Sequence, residues 1–242
     1  RSERAQGSEF TNYREDWAFR ATYNYDNRYM LEYNGAYNGS EKFSPDNRFA
    51  FFNSGAVGWN VANEKWFKPV SELQLFGRNI IDILKIRYSY GEIGEDSVWD
   101  RFLYQTQWSY GGTTKLDSTN PNSASPYTWY KESKVGNPNI HWEKAVKQNL
   151  GIDYSLLNGL IAGTLEFFHE KRSDIMIAGG NRAVPQYFGA QAPYMNKGRT
   201  KTTGYELEMR LKYTFANGLH AYANMDMTHA KNVVLEHDDP AY

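Results

Sequence analysis

The chain contains no cysteine among its 242 residues. Disulfide staples, thiolate metal sites and cysteine nucleophiles are therefore excluded, although the absence says little about compartment. An excess of one charge is lacking too: 27 Lys and Arg stand against 28 Asp and Glu, a formal net charge of -1. No field favours DNA, RNA or anionic lipid, and nucleic acid is not an expected partner. No apolar run approaches the roughly 18 residues of a membrane helix. The opening Arg-Ser-Glu-Arg is not a signal peptide, and the chain reads as an internal piece of a longer protein. What is plentiful is aromatic residue, with 19 Tyr, 13 Phe and 7 Trp in a sequence only 40% hydrophobic. Alternating lipid-facing and water-facing positions would produce that balance, and so would a secreted β-sandwich with aromatic binding loops.

The pattern along the chain argues for the first. From Tyr205 to Phe215 every odd residue is apolar, and Glu206, Glu208, Arg210, Lys212 and Thr214 fill the even positions. This is a strand with one oily and one wet face, and roughly ten residues tilted by about 45° cross a hydrocarbon core. The same alternation recurs over Tyr13 to Tyr25, Tyr29 to Tyr37, Arg48 to Val61, Leu84 to Tyr90, Val146 to Leu156, Leu160 to Met176 and Leu219 to Met227. That predicts about eight strands. Tight turns at Asp26-Asn27, Asn158-Gly159 and Asn217-Gly218 alternate with longer loops, the longest from Glu92 to Trp142 and another from Gly179 to Arg199. Only the 62 to 83 segment is longer than its place predicts, and it reads as irregular with a short interfacial helix. Short turns at one rim and long loops at the other are the layout of an outer-membrane barrel. The expectation is an all-β, antiparallel transmembrane β-barrel section with long extracellular loops.

The wet faces offer Asp153, Glu166, Glu206, Glu208 and Arg210 as lumen-facing residues. Glu206 and Glu208, two apart on one face, approach the spacing of a glycosidase carboxylate pair, but polar-in alternation places charges there without any catalysis. No enzyme activity is expected. His237-Asp238-Asp239 lacks the spacing of a metal motif, and no metal or cofactor is predicted. In the long loop, Trp99, Trp108, Tyr110, Tyr127, Trp129 and Tyr130 stand where no lipid requires them. Aromatic faces suit glycans and partner surfaces, and they equally suit packing of the loop on itself. Trp17, Trp59 and Tyr213 on the strands read as an interfacial girdle.

Several stretches share one order with a known family. Gly136-Asn137-Pro138-Asn139-Ile140-His141-Trp142-Glu143-Lys144, continuing through Asn149-Leu150-Gly151-Ile152-Asp153-Tyr154-Ser155-Leu156, is the strongest. With Asp26-Asn27-Arg28-Tyr29, Asn47-Arg48-Phe49, Leu84-Lys85-Ile86-Arg87-Tyr88-Ser89-Tyr90-Gly91 and Gly204-Tyr205-Glu206-Leu207, it resembles the SusC-like (RagA-like) family of TonB-dependent outer-membrane transporters of Bacteroidota. Asn53 and Glu92-Ile93-Gly94-Glu95 depart from the family pattern in strand and loop detail. The resemblance implies that residues 1–242 are a partial receptor barrel domain without plug, TonB box or carboxy-terminal strand, part of a barrel of about 22 strands. It further implies import of oligosaccharides or peptides, a SusD-like surface lipoprotein as lid, drive from the TonB system through the missing plug, and contact with outer-membrane lipid. The rival readings are a soluble or surface-anchored β-sheet glycan-binding module using Trp99, Trp108 and Trp129, and a barrel hydrolase using lumen carboxylates.

Overall fold

In the computed structural model of the chain, which describes residues 13–96, 100–114, 127–185 and 191–239, the alternating segments are long antiparallel strands. The elements in chain order are β1 (Arg14–Tyr25), β2 (Tyr29–Ser40), β3 (Phe49–Asn60), the one-turn helix α1 (Lys68–Ser71), β4 (Gln74–Leu75), β5 (Arg78–Asn79), β6 (Ile81–Glu95), β7 (Gln107–Thr114), β8 (Tyr127–Lys134), β9 (Glu143–Leu156), β10 (Ile161–Ile177), β11 (Met195–Thr214) and β12 (His220–Glu236). Eight of them form one sheet in the order β1-β2-β3-β6-β9-β10-β11-β12, a meander in which each strand lies beside its predecessor in the sheet. β4 pairs with β5 and β7 with β8 as separate ribbons. The large sheet is open, with β1 and β12 at its edges, and among the described residues no helix is long and apolar enough to cross a membrane.

Register fixes which side chains share a face, because paired residues point the same way. One row across the eight strands reads Tyr25, Tyr29, Trp59, Ile86, Ile152, Leu165, Leu207 and Met227, apolar throughout. The adjacent row on the opposite face contains Asn24, Arg87, Glu166, Glu206 and Thr228. Among the described residues the aromatic face is largely open: Trp17 is 67% exposed and Leu31 54%. On β11 this face is apolar from Tyr205 to Tyr213, a span of about 20 Å at the usual rise and tilt of a barrel strand, close to the ~25 Å apolar band of an outer-membrane barrel.

The turns follow local chemistry. Asp26 and Asn27 adopt φ 52° and 51°, a left-handed conformation that short Asx side chains tolerate, and the Arg28 N–H closes the turn on Tyr25 O at 3.0 Å. The turn joining β9 and β10 repeats this through Leu157, Asn158 and Gly159 at φ 56°, 56° and 78°.

The loops differ from the sequence expectation in three places. The Glu92 to Trp142 loop holds the β7–β8 ribbon, and β6 continues to Glu95 before that loop begins. β11 starts at Met195, inside the stretch expected to be loop. In the 61 to 80 segment the helix is a single turn, followed by the two-residue strands β4 and β5. All three are short or lack a clear apolar face, so alternation carries no signal for them.

Candidate functional site

On the polar face, Arg87 of β6 gathers two of the predicted lumen carboxylates. Its Nε donates to Asp153 Oδ1 at 3.2 Å, and its Nη2 donates to Glu166 Oε1. Asn149 Nδ2 donates to the other Glu166 oxygen at 2.7 Å, and Thr164 Oγ1 donates to Asp153 Oδ1 at 3.3 Å. Alternation from Leu84 to Tyr90 puts Arg87 on the wet face, although it is not among the residues that the sequence offers for the lumen. Parity revealed its side of the sheet, but only the β6–β9–β10 adjacency reveals its partners.

Glu206, Glu208 and Arg210 lie on the same face of β11 and are exposed. Glu206 stands opposite Glu166 on one side and Thr228 on the other, Glu208 stands opposite Asp226, and Arg210 opposite Asn224. Side chains directly opposite across an antiparallel pair have Cβ atoms about 5 Å apart, so Glu208 and Asp226 repel. This part of the face offers carboxylates to water, with the single guanidinium of Arg210 beside them.

The long-loop rim holds the small core. Phe43, Phe52, Leu103, Ile140 and Trp142 pack together, the ring of Trp142 lying 5.2 Å from Phe43 and 5.7 Å from Phe52. The 136–142 motif binds three loops into this knot. Trp142 Nε1 donates to Arg48 O at 3.1 Å and Ser44 Oγ donates to Pro138 O at 3.1 Å, fixing the 41–48 loop. Asn137 Nδ2 donates to Tyr194 O at 2.8 Å, and Asn196 Nδ2 donates to His141 O at 2.8 Å, fixing the approach to β11. The Asn137 N–H donates to Leu103 O at 2.9 Å. Gly136 passes so close to Gln105 that a Cβ there would meet its carbonyl carbon at 2.3 Å, so glycine is required.

From this knot rises the β7–β8 ribbon. Its register pairs Tyr110 with Tyr130 and Trp108 with Glu132, which sets Trp108, Tyr110 and Tyr130 on one face. They are exposed by 62, 60 and 63%, with the Tyr110 and Tyr130 rings edge-on at 6.0 Å. Trp129 is on the other face, over Gly111. Tyr127 begins β8, and Trp99 lies outside the described residues. The three exposed rings share one face of the ribbon.

At the carboxy-terminal end of β12, Asp238 accepts from Lys197 Nζ at 2.6 Å and from Arg182 Nε at 3.2 Å. The Lys197 hydrogen bond, seconded by Arg182, holds its carboxyl below the usual carboxylate range. His237 Nδ1 lies 3.1 Å from Asp239 Oδ1, and among the described residues no group of acids and histidines could hold a metal ion.

No family model matches the chain. It is similar to the TonB-dependent receptor SusC of Bacteroides thetaiotaomicron, with 31% identity over 161 residues, covering 65% of this chain and 14% of that protein. It is also similar to a TonB-dependent receptor of Formosa agariphila, with 24% identity over 217 residues, covering 90% of this chain and 20% of that one. The chain thus spans about a fifth or less of the curated relatives it matches. Among solved structures, the RagAB peptide importer in its closed-closed state superposes with a TM-score of 0.74 at 20% identity, over 93% of this chain and 22% of that chain. Its open-open state gives a TM-score of 0.76 at 19% identity, over 92% and 22%. At such identity the superposition speaks for the fold.

Proposed function

We propose that this chain is a piece of a SusC-like TonB-dependent receptor, and that its eight-stranded sheet is one section of the wall of an outer-membrane barrel that imports oligosaccharides or peptides. Residues 1–242 supply barrel wall and outer loops, and the plug that answers to the TonB system belongs to the rest of the protein. The observation that carries this reading is the uncovered apolar face, continuous across all eight strands and backed by a charged face. A water-soluble β-sandwich would bury such a face against a second sheet. Short turns at one rim and the knotted loops at the other support an orientation with the ribbon outside the cell.

In this reading the lumen is lined by Arg87, Asp153, Glu166, Glu206, Glu208 and Arg210. Trp108, Tyr110 and Tyr130 meet the substrate or a SusD-like lipoprotein that closes the barrel. No bond is made or broken, and the chemistry is capture, passage and release. An antibody to the ribbon around Trp108 tests it. Staining of intact cells, with the full-length polypeptide sedimenting in the outer membrane until detergent is added, is the expected result. A polypeptide soluble without detergent would overturn the reading in favour of the glycan-binding module.

A further inference from the structure

The excursion between β3 and β6 carries apolar side chains that nothing in the sheet requires. Trp66 is 65% exposed, Leu73 58%, and Phe76, at the tip of the β4–β5 hairpin, 88%. Leu75 pairs with Arg78, so Phe76 and Gly77 form a two-residue turn with φ 53° and 70°. A turn with both central residues left-handed favours Asn-Gly, and a bulky aromatic in its first position is strained. A strained backbone that holds in water the most exposed large ring among the described residues has no folding rationale, and such outliers cluster at functional sites.

Three contacts establish on which side of the sheet this excursion lies. Glu64 accepts from Tyr29 Oη at 2.6 Å and from Trp59 Nε1 at 3.0 Å, both on the aromatic face. Arg78 lies over the ring of Tyr213, 5.4 Å from its centroid and again on that face. The Arg78 Nη1 also donates to Leu157 O at 3.3 Å, in the turn between β9 and β10. The excursion therefore runs along the short-turn rim on the apolar side, reaching from the β1–β2 turn to β11. A plug inside the lumen would not cover it. Its exposed rings continue the belt of Tyr29, Trp59 and Tyr213, while Lys65, Lys68 and Arg78 supply cations beside them. Aromatic rings interleaved with Lys and Arg are the composition of a segment lying in a lipid headgroup region.

We propose that residues 61–80 are a membrane-interface anchor, with Trp66, Leu73, Leu75 and Phe76 inserted among the phospholipids of the periplasmic leaflet. This rests on the barrel-wall reading, and the test separates the two. The full-length protein is reconstituted in bilayers of phosphatidylethanolamine and phosphatidylglycerol, with a single nitroxide at Leu75→Cys or, as control, at Leu207→Cys in the apolar band. Collision with oxygen, which concentrates in lipid, is compared with collision with a water-soluble nickel complex. The expected result is severalfold greater relaxation by oxygen at both positions, with the Leu75 label shifting toward nickel when Phe76→Asn removes the tip ring. Nickel-dominated relaxation at Leu75 beside oxygen-dominated relaxation at Leu207 overturns the anchor and leaves the wall standing. Shielding of Leu75 from both reagents means that a protein covers it, which also overturns the anchor. Nickel-dominated relaxation at Leu207 removes the wall and the anchor together.

Discussion

Glu166 and Glu206 face each other across the β10–β11 pair, and Arg87 reaches only Glu166. Two acids at one level of a sheet therefore have different surroundings, one tied to a guanidinium and an amide, the other turned to water. The tie spans β6 to β10 through Asp153 on β9, so it acts as a lateral clasp on three strands.

Arg87→Ala leaves Asp153 and Glu166 without their cation, and lowers the unfolding midpoint more than Arg210→Ala. Arg87 is about a third exposed, so solvent screening limits the coupling in an Arg87/Glu166 double-mutant cycle to about 1 kcal/mol. Denaturant unfolding in detergent measures it. Equal effects of the two alanine variants would show that the clasp contributes nothing beyond an ordinary surface charge.

The two faces of β11 give opposite outcomes for similar substitutions. Glu or Lys at Leu207, Met209 or Leu211 places a charge in the apolar band at a cost of about 2–4 kcal/mol near its middle. Assembly, read as heat-modifiable migration on gels, is impaired. Glu208→Lys, on the polar face opposite Asp226, removes a like-charge pair and leaves assembly intact. Normal assembly of the Leu207 variants would reverse the facing assigned to the whole sheet.

Much of this was legible in the sequence, and the reason is physical. β11 announces itself because lipid on one side and water on the other force a strict period of two from Tyr205 to Tyr213. The β7–β8 ribbon does not, because Gly111, Gly112 and Thr113 interrupt any apolar face and water touches both sides. The 136–142 motif stood out as a string of residues, but its work depends on Arg48, Tyr194 and Asn196, far along the chain. Spacing cannot show such contacts. Phe76 was hidden for a different reason: a sequence gives no φ, and only the left-handed backbone turns an unremarkable Phe-Gly into an anomaly.

The knot at the long-loop rim separates loop order from wall assembly. Trp142→Ala empties the centre of the Phe43, Phe52, Leu103 and Ile140 cluster, a loss of about 3–5 kcal/mol confined to that cluster. The wall strands pair without it. The variant inserts normally, but limited proteolysis on intact cells cuts within residues 127–142 where the parent resists. Asn137→Ala, which leaves Tyr194 O without its Nδ2 donor and the Asn139 N–H without its Oδ1 acceptor, gives the same cleavage more slowly.

Asp238 makes the tie between β12 and the 178–194 loop sensitive to acid. Its folded pKa lies below the unfolded value because Lys197, then Arg182, hydrogen-bond the carboxylate. A depressed carboxylate contributes stability above the unfolded pKa of about 4 and loses it as pH falls through the folded value. At neutral pH the contribution is complete, and it disappears only in the strongly acid range. A nitroxide at Val184, next to Ala183 whose N–H also donates to Asp238, reports the change. It is immobile at neutral pH and gains mobility on acidification below about pH 4. Asp238→Asn mimics the acid state, giving a mobile label at neutral pH and little further change on acidification. A label whose acid response survives in Asp238→Asn would assign the transition to another carboxylate.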